Sequence, residues 1–194
     1  MKRILFIPLL LIVSLLHAQS VKPVKPAPGD QQLPNHCVRK HTYGPETRMT
    51  FHPFDKAAQI QLISFDGVVT ISDKKQFEIY SADPQMLEDT VMPLVVKERV
   101  LLNAEQIGQL TDLLFNYGCT GAHTVHDCYI PHHAITFADA EGKALAFIEI
   151  CFQCANTRES DSRFHMEPLC ADKLAMIKAL FRDAGIKFGV SDRS

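Results

Sequence analysis

Tryptophan is absent from the chain of 194 residues, and neither sign of charge is in excess. The 20 lysines and arginines nearly balance the 22 aspartates and glutamates, which leaves a formal net charge of −2 at pH 7. This balance argues against nucleic acid or an anionic membrane surface as a partner, and sugar stacking is less favoured without an indole ring. The chain also lacks internal repeats, and its length suits one domain with a substantial core.

The first apolar run is too short to span a bilayer, which takes about 20 residues in a helix. This run, Ile4 to Leu16, follows two basic residues, Lys2 and Arg3, and precedes small residues that suit cleavage. The pattern is typical of a secretory signal peptide. We therefore predict a signal peptide over residues 1–20, export to the periplasm or the extracellular space, and no transmembrane anchor once the signal is removed.

Four prolines fall within residues 21–34, where apolar content is low. We interpret this segment as an extended linker and assign residues 35–194 to a single domain. Within that domain Asp66-Gly67 separates two β-prone runs and suggests a tight hairpin between them. The strands predicted in this part of the chain are Gln59–Phe65, Val68–Ile71, Phe77–Tyr80 and Val95–Leu101.

A helix is predicted over Ala104–Tyr117. Asn103 and Gln106 have the spacing of a capping box, in which two side chains satisfy free N–H groups at a helix start. Apolar residues then recur at helical spacing and form one stripe, so the helix is expected to lie on the face of a sheet. Gly118 is interpreted as the residue that ends it in a left-handed conformation.

A second helix is predicted over Leu169–Ala184, where apolar residues again recur at helical spacing and Gly185 follows as a terminator. The order of strands, helix, hairpin and helix favours the α+β class. We expect an antiparallel sheet of hairpins with the two helices packed on one face, stabilised by disulfides.

The segment from Cys128 to Cys154 has two apolar runs around a polar turn that contains Gly142, which predicts a hairpin. If Ala138 pairs with Lys143, the side chains of both strands alternate between two faces, and three polar side chains share one face of the hairpin. This register is a hypothesis, because a slip of one residue would invert the faces. The groups brought together are His132, Glu149 and Cys151.

Six cysteines, at positions 37, 119, 128, 151, 154 and 170, admit three interpretations. In an exported chain disulfides are favoured, with no cofactor. A zinc site is the alternative, because Cys151 and Cys154 have zinc-ligand spacing and Cys128 and Cys170 would complete four thiolates. A thiol enzyme is the third, with Cys151 as nucleophile, His132 as base and Glu149 to orient the ring.

The proposed register also predicts disulfide partners. It places Cys128 opposite Gln153, one position from Cys154, so we expect a Cys128–Cys154 disulfide. Cys151 would then reach Cys170 at the start of the last helix. A redox motif of the thioredoxin type needs its cysteine pair at a helix N-terminus, and no helical periodicity follows Cys154.

Two motifs resemble a set of uncharacterised exported proteins from Bacteroidetes-type bacteria. They are Cys128-Tyr129-x-Pro131 with His133-Ala134-Ile135-x-Phe137, and Ile148-Glu149-Ile150-Cys151-Phe152-x-Cys154; Leu169-Cys170-x-x-Lys173 and Ala184-Gly185-Ile186 are similar too. The similarity covers roughly residues 100–188. Arginine is expected in that set where this chain has His132, which weakens a role for His132. Cys37 and Cys119 lie outside the motifs, which suggests that they pair with each other.

The resemblance supports the fold and the compartment without supplying an activity. We therefore expect an exported, disulfide-stabilised domain that acts as a binding or interaction module. The zinc protein and the thiol enzyme remain as the alternatives.

Overall fold

The computed structural model of the chain describes residues 37–80, 95–120 and 128–191. The predicted signal peptide and linker therefore lie outside the described residues, as does the segment that contains His123 and His126. None of the helices in the described ranges combines the length and hydropathy that a bilayer crossing requires.

The described segments form strands and helices in mixed order, which confirms the α+β class. Their bounds are β1 (Cys37–Arg39), α1 (Pro45–Arg48), β2 (Gln59–Ser64), β3 (Val68–Ile71), β4 (Phe77–Tyr80), β5 (Glu98–Leu101), α2 (Ala104–Asn116), β6 (Tyr117–Cys119), β7 (His133–Ala138), β8 (Ala144–Cys151), β9 (Asn156–Glu159) and α3 (Ala171–Ala184).

The centre of the fold is a five-stranded antiparallel sheet in the order β5-β2-β7-β8-β9. Side chains alternate along each strand and divide the sheet into two faces. One face carries Leu62, Ile135, Phe137 and Ile148, and both longer helices pack onto it as predicted. The helices contribute the stripes Leu110, Leu114, Phe115, Leu174, Ile177, Leu180 and Phe181.

The opposite face is covered by a second hairpin, β3–β4, which is a separate two-stranded sheet. Its Val69 and Ile79 pack with Ile63 and Phe147 of the central sheet. The predicted hairpin between β2 and β3 is wrong, because β2 pairs with β5 and β7 instead. The turn at Gly67 instead leads from the end of β2 into β3, which lies over the face of the central sheet.

The start of α2 agrees with its prediction. The Asn103 side chain accepts the Gln106 N–H at 2.9 Å, and the Gln106 side chain accepts the Asn103 N–H at 3.0 Å. The predicted end is wrong, since Tyr117 is already extended and the chain continues directly into β6. Gly118 lies within that strand, where an added Cβ would come within 2.6 Å of Glu167 Oε2. Close packing against the Glu167 side chain, rather than a left-handed turn, therefore favours glycine there.

The β7–β8 hairpin has the predicted faces but not the predicted register. Phe137 pairs with Ala146 rather than Ala144, and His133 pairs with Ile150 rather than Ile148. The ladder shifts at Ala138, which adds a residue on one side. Because the total offset is two residues, each side chain stays on its expected face.

Arg48 holds the segment that follows β1 against helix α2. It is buried, and its guanidinium donates to Thr111 Oγ1 at 3.1 Å, to the Gly108 carbonyl at 3.1 Å and to Asp112 at 3.2 Å. Asp112 also accepts from Arg39 of β1 at 2.7 Å. These charge-assisted bonds hold β1 beside the helix pair, and so determine where its first residue, Cys37, lies.

Candidate functional site

The structure contains two disulfides, Cys37–Cys170 and Cys128–Cys154, and leaves Cys119 and Cys151 as buried free thiols. The Cys128–Cys154 prediction is confirmed. The predicted Cys37–Cys119 and Cys151–Cys170 pairs are wrong in this structure.

The reason is the position of β1. It brings Cys37 next to the start of α3, with its Cα 5.6 Å from that of Cys170, although 133 positions separate the two in sequence. Cys170 is thereby bonded to Cys37 and has no valence left for Cys151.

The Cys37–Cys170 disulfide lies at the N-terminus of α3. Cys170 is the N-cap residue of that helix, and its backbone is extended. The N–H of Lys173, in the first turn, donates to Cys37 Sγ at 3.0 Å. A first-turn N–H group and the positive end of the helix dipole therefore face this disulfide, and both stabilise a thiolate.

Cys119 lies directly across the β1–β6 ladder from Cys37. The Lys40 N–H donates to the Asn116 carbonyl at 2.8 Å, so Lys40 and Asn116 are a hydrogen-bonded pair. Because such pairs alternate, Cys37 and Cys119 form a non-hydrogen-bonded pair, whose side chains approach most closely. The Cys119 thiol donates to the Leu169 carbonyl, immediately before Cys170.

Lys173 is a fully buried lysine beside these cysteines. Its ammonium donates to the Glu167 carbonyl at 2.6 Å and to the Leu114 carbonyl at 3.1 Å. Burial lowers the pKa of Lys173 to about 8, while the charges of Glu167 and Cys119 oppose that shift. Burial also raises the pKa of the Cys119 thiol, against the attraction of Lys173.

Glu167 joins this cluster to the residues that follow β1. Its carboxylate contacts Lys40 at 3.2 Å and His41 at 2.9 Å. Hydrogen bonds from these two side chains outweigh burial and lower the pKa of Glu167. We name the group formed by Cys37, Cys119, Cys170 and Lys173 the α3 cysteine cluster.

A small half-open pocket of about 190 Å³ adjoins this cluster, and Glu159, Glu167 and Leu169 are part of its lining. The carbonyls of Glu167 and Leu169 are the groups that accept from Lys173 and Cys119. Sites for drug-sized ligands occupy about 300–1,000 Å³. The dimensions of this pocket therefore suit one side chain or a very small molecule.

The second disulfide is also accompanied by a free thiol. Cys151 Sγ accepts the Cys154 N–H at 3.2 Å, and the Cys151 thiol donates to the Ile130 carbonyl at 3.1 Å. Cys128 is exposed, whereas Cys151 and Cys154 are buried. Cys154 lies in the turn between β8 and β9, and among the described residues no helix N-terminus faces this disulfide.

The predicted His132–Glu149 pair is wrong. Glu149 is fully buried and accepts from Tyr129 Oη and Arg158 Nε, each at 2.7 Å, and from the Val69 N–H. Burial, together with this carboxylate, raises the pKa of Tyr129 above its usual range. His132 instead lies 3.1 Å from Asp66. The proposed Cys151, His132 and Glu149 arrangement of a thiol enzyme is therefore not assembled.

His133 is a buried side chain that the sequence did not single out. It lies among Phe152, Phe181 and Phe188, and its Nε2 is 2.7 Å from the Phe188 carbonyl. Since a carbonyl only accepts, Nε2 carries the proton and Nδ1 does not. Nδ1 has no partner among the described residues. Burial lowers the pKa of His133 to about 4, so the ring is neutral near pH 7.

The four cysteines of the zinc alternative are divided between two disulfides and one free thiol. A four-thiolate site would require both disulfides to be reduced, because a metal ligand must be a thiolate. Within residues 37–80, 95–120 and 128–191, no group of three or more His, Cys, Asp or Glu side chains is arranged to hold a metal ion.

Comparison of the chain with models of protein families, with curated proteins and with solved structures found no significant match. The resemblance to exported Bacteroidetes-type proteins therefore stays a prediction.

Two members of the α3 cysteine cluster, Lys173 and Cys37, differ in how well their positions can be predicted from sequence. Lys173 precedes Ile177 by four positions and Leu180 by seven, which places its charge on the apolar stripe of the helix. That spacing is a signal for a buried lysine. The approach of Cys37 has no comparable signal, because it depends on contacts between distant parts of the chain.

Proposed function

We propose that this chain is an exported, disulfide-stabilised domain whose activity is thiol–disulfide exchange at the Cys37–Cys170 disulfide. The observation that carries the proposal is the position of this disulfide at the N-terminus of α3, where Cys170 is the N-cap residue and the Lys173 N–H donates to Cys37 Sγ at 3.0 Å. Exchange proceeds through thiolates, and a group that stabilises the leaving thiolate accelerates it.

The exposure of the two bonded cysteines supports attack from solvent. Cys37 is partly exposed on β1, whereas Cys170 is fully buried. An external thiolate therefore reaches Cys37 Sγ, forms a mixed disulfide with it and breaks the bond to Cys170. The electron pair leaves on Cys170 Sγ. This sulfur is at the N-cap position, where the positive end of the helix dipole favours a thiolate.

Export is supported by the disulfides themselves, since stable disulfides form in oxidising compartments and are rare in the cytosol. The partners for exchange would then be cysteine thiols of other exported proteins or small thiols in the same compartment. A binding module remains an expectation from the sequence. We favour exchange because the contacts at the start of α3 support it, whereas no contact among the described residues points to a binding partner.

The proposal is tested by poising the folded Cys119→Ser variant in glutathione buffers of graded ratio at pH 7. Alkylation and peptide mapping then follow each disulfide separately. This variant leaves only exchange with glutathione at Cys37–Cys170. We expect Cys37–Cys170 to open at a reduced-to-oxidised ratio about tenfold lower than Cys128–Cys154, which corresponds to about 1.4 kcal/mol of thiolate stabilisation.

Cys128–Cys154 is the internal control, because its more exposed member gives glutathione access and no helix of the described ranges begins beside it. Opening of both disulfides at one ratio, or opening of Cys37–Cys170 only under denaturing conditions, would contradict the proposal.

A further inference from the structure

Three cysteines, not two, meet at the start of α3. Cys37 is bonded to Cys170 and lies opposite Cys119, which is free and buried. We infer that Cys119 is a second disulfide partner of Cys37, so that the domain has two alternative bonds, Cys37–Cys170 and Cys37–Cys119. This inference rests on the proposed exchange activity and specifies how the bond is passed on within the chain.

The ladder geometry permits the second bond. Residues in a non-hydrogen-bonded antiparallel pair have Cα atoms about 4.5 Å apart. Disulfides span Cα separations of about 4.4–6.8 Å, so Cys37 and Cys119 meet the requirement without movement of β1 or β6. The existing Cys37–Cys170 bond spans 5.6 Å. Rotation of the Cys37 side chain is therefore the main change between the two bonds.

The transfer needs no external oxidant. Cys119, as a thiolate, attacks Cys37 Sγ and forms the new sulfur–sulfur bond, while the bond from Cys37 to Cys170 breaks. The electron pair leaves on Cys170 Sγ, which takes up a proton equivalent to the one that Cys119 lost. One thiol and one disulfide are present before and after the step, so atoms and electrons balance.

Lys173 serves both ends of this transfer. Its buried ammonium attracts the Cys119 thiolate, which opposes the effect of burial on that thiol. Its backbone N–H already donates to Cys37 Sγ and lies within the first turn that Cys170 caps. Lys173 is thus a positioning residue, since it acts on the reacting sulfurs through charge and one hydrogen bond.

The two bonds connect different elements. Cys37–Cys170 ties β1 to the start of α3, whereas Cys37–Cys119 would tie β1 to its own ladder partner β6 and free the helix N-cap. The exchange would therefore release α3 from β1 and leave Cys170 as a free thiol next to a helix N-terminus.

The decisive experiment uses the full-length Cys170→Ser variant, oxidised with glutathione while folded, then alkylated and mapped without reduction. We expect a Cys37–Cys119 cross-linked peptide in most molecules. The matched control is the Cys119→Ser, Cys170→Ser double variant, in which Cys37 should carry glutathione or label as a free thiol. A Cys170→Ser protein in which Cys37 and Cys119 both label, or in which Cys37 carries only glutathione, overturns the inference.

A second measurement does not depend on how the variant folds. Unsubstituted protein held in a partly reducing glutathione buffer should contain the Cys37–Cys119 peptide alongside Cys37–Cys170, and its absence from partly reduced samples overturns the inference. The Cys170→Ser result also stands apart from the proposed function, because it does not require glutathione to open Cys37–Cys170. Resistance of that bond to glutathione would reject exchange with external thiols and leave the Cys119 test intact.

Discussion

Cys37 faces Cys119 across a β-ladder but is bonded to Cys170, which it approaches at the start of α3. The two relationships come from different parts of the fold. The ladder is a local pairing of two short strands, while the disulfide joins the first described strand to the last helix. The free thiol is consequently left beside a disulfide, and that arrangement underlies the proposed exchange activity.

The apolar stripe of α2 predicts that a new carboxylate destabilises the protein far more on the buried side of the helix than on its exposed side. Leu110→Asp should lower the free energy of unfolding by several kcal/mol, because Leu110 is fully buried and its replacement would bury an unpaired carboxylate. Gln109→Asp is the matched control on the exposed side of the same turn and should stay within about ±0.5 kcal/mol. Urea unfolding measures both, and equal midpoints would show that the helix faces are misassigned.

The buried Glu149 should be among the most sensitive positions in the sheet. Glu149→Ala removes the acceptor for Tyr129, Arg158 and the Val69 N–H at once. Breaking a buried ion pair from one side costs about 3–5 kcal/mol, and we expect the lower end because the Arg158 side chain is 47% exposed. Glu141→Ala, in the exposed β7–β8 turn, is the control for loss of a carboxylate. Thermal unfolding with equal shifts for the two variants would contradict this role.

Gly189 is predicted to tolerate substitution less well than Gly142. Both have positive φ, +68° and +81°, so alanine is strained at either. At Gly189 the new Cβ would also lie 2.8 Å from Cε1 of His133, whereas at Gly142 nothing lies within 4 Å. Overpacking of this kind costs about 1–3 kcal/mol beyond the strain. Chemical unfolding of the two alanine variants should show that difference, and similar losses would mean that His133 is free to move.

Stability should fall as the pH drops from about 6.5 to about 4. Burial lowers the pKa of His133 to about 4 from its ordinary 6.5, so the unfolded chain binds this proton first on acidification. The contribution is complete above pH 6.5 and is lost through this window, by up to about 3 kcal/mol. Glu98 favours the charged ring and His132 opposes it. The unfolding free energy of the protein should fall relative to that of His133→Phe as the pH falls through this window, and parallel profiles would reject the assignment.

The parts of the fold that were predictable from sequence depend on near neighbours. The capping box of α2 and the stop at Gly185, where φ is +113°, involve residues within one turn. Strands β3 and β4 have their predicted bounds because each is a short apolar run between turn residues. These features are determined by local backbone chemistry.

The parts that were not predictable depend on distant contacts. The hairpin is offset by two residues from its prediction, one because Ala138 pairs with Ala144 and one because of the adjacent bulge, and no residue type there indicates either. Likewise, the partners of β2 are β5 and β7, although β3 is nearest in sequence. The α3 cysteine cluster combines both cases, since the position of Cys170 beside a helix start is local while the arrival of Cys37 and Cys119 is not.

The cysteine connectivity is the central claim, and a thiol count combined with a non-reducing peptide map tests it most directly. Protein recovered from an oxidising compartment would be denatured with a chelator and without reductant, alkylated and digested. We expect two labelled thiols per chain, Cys119 and Cys151, together with cross-linked peptides for Cys37–Cys170 and Cys128–Cys154. Four or more labelled cysteines would contradict the disulfides and favour the zinc alternative.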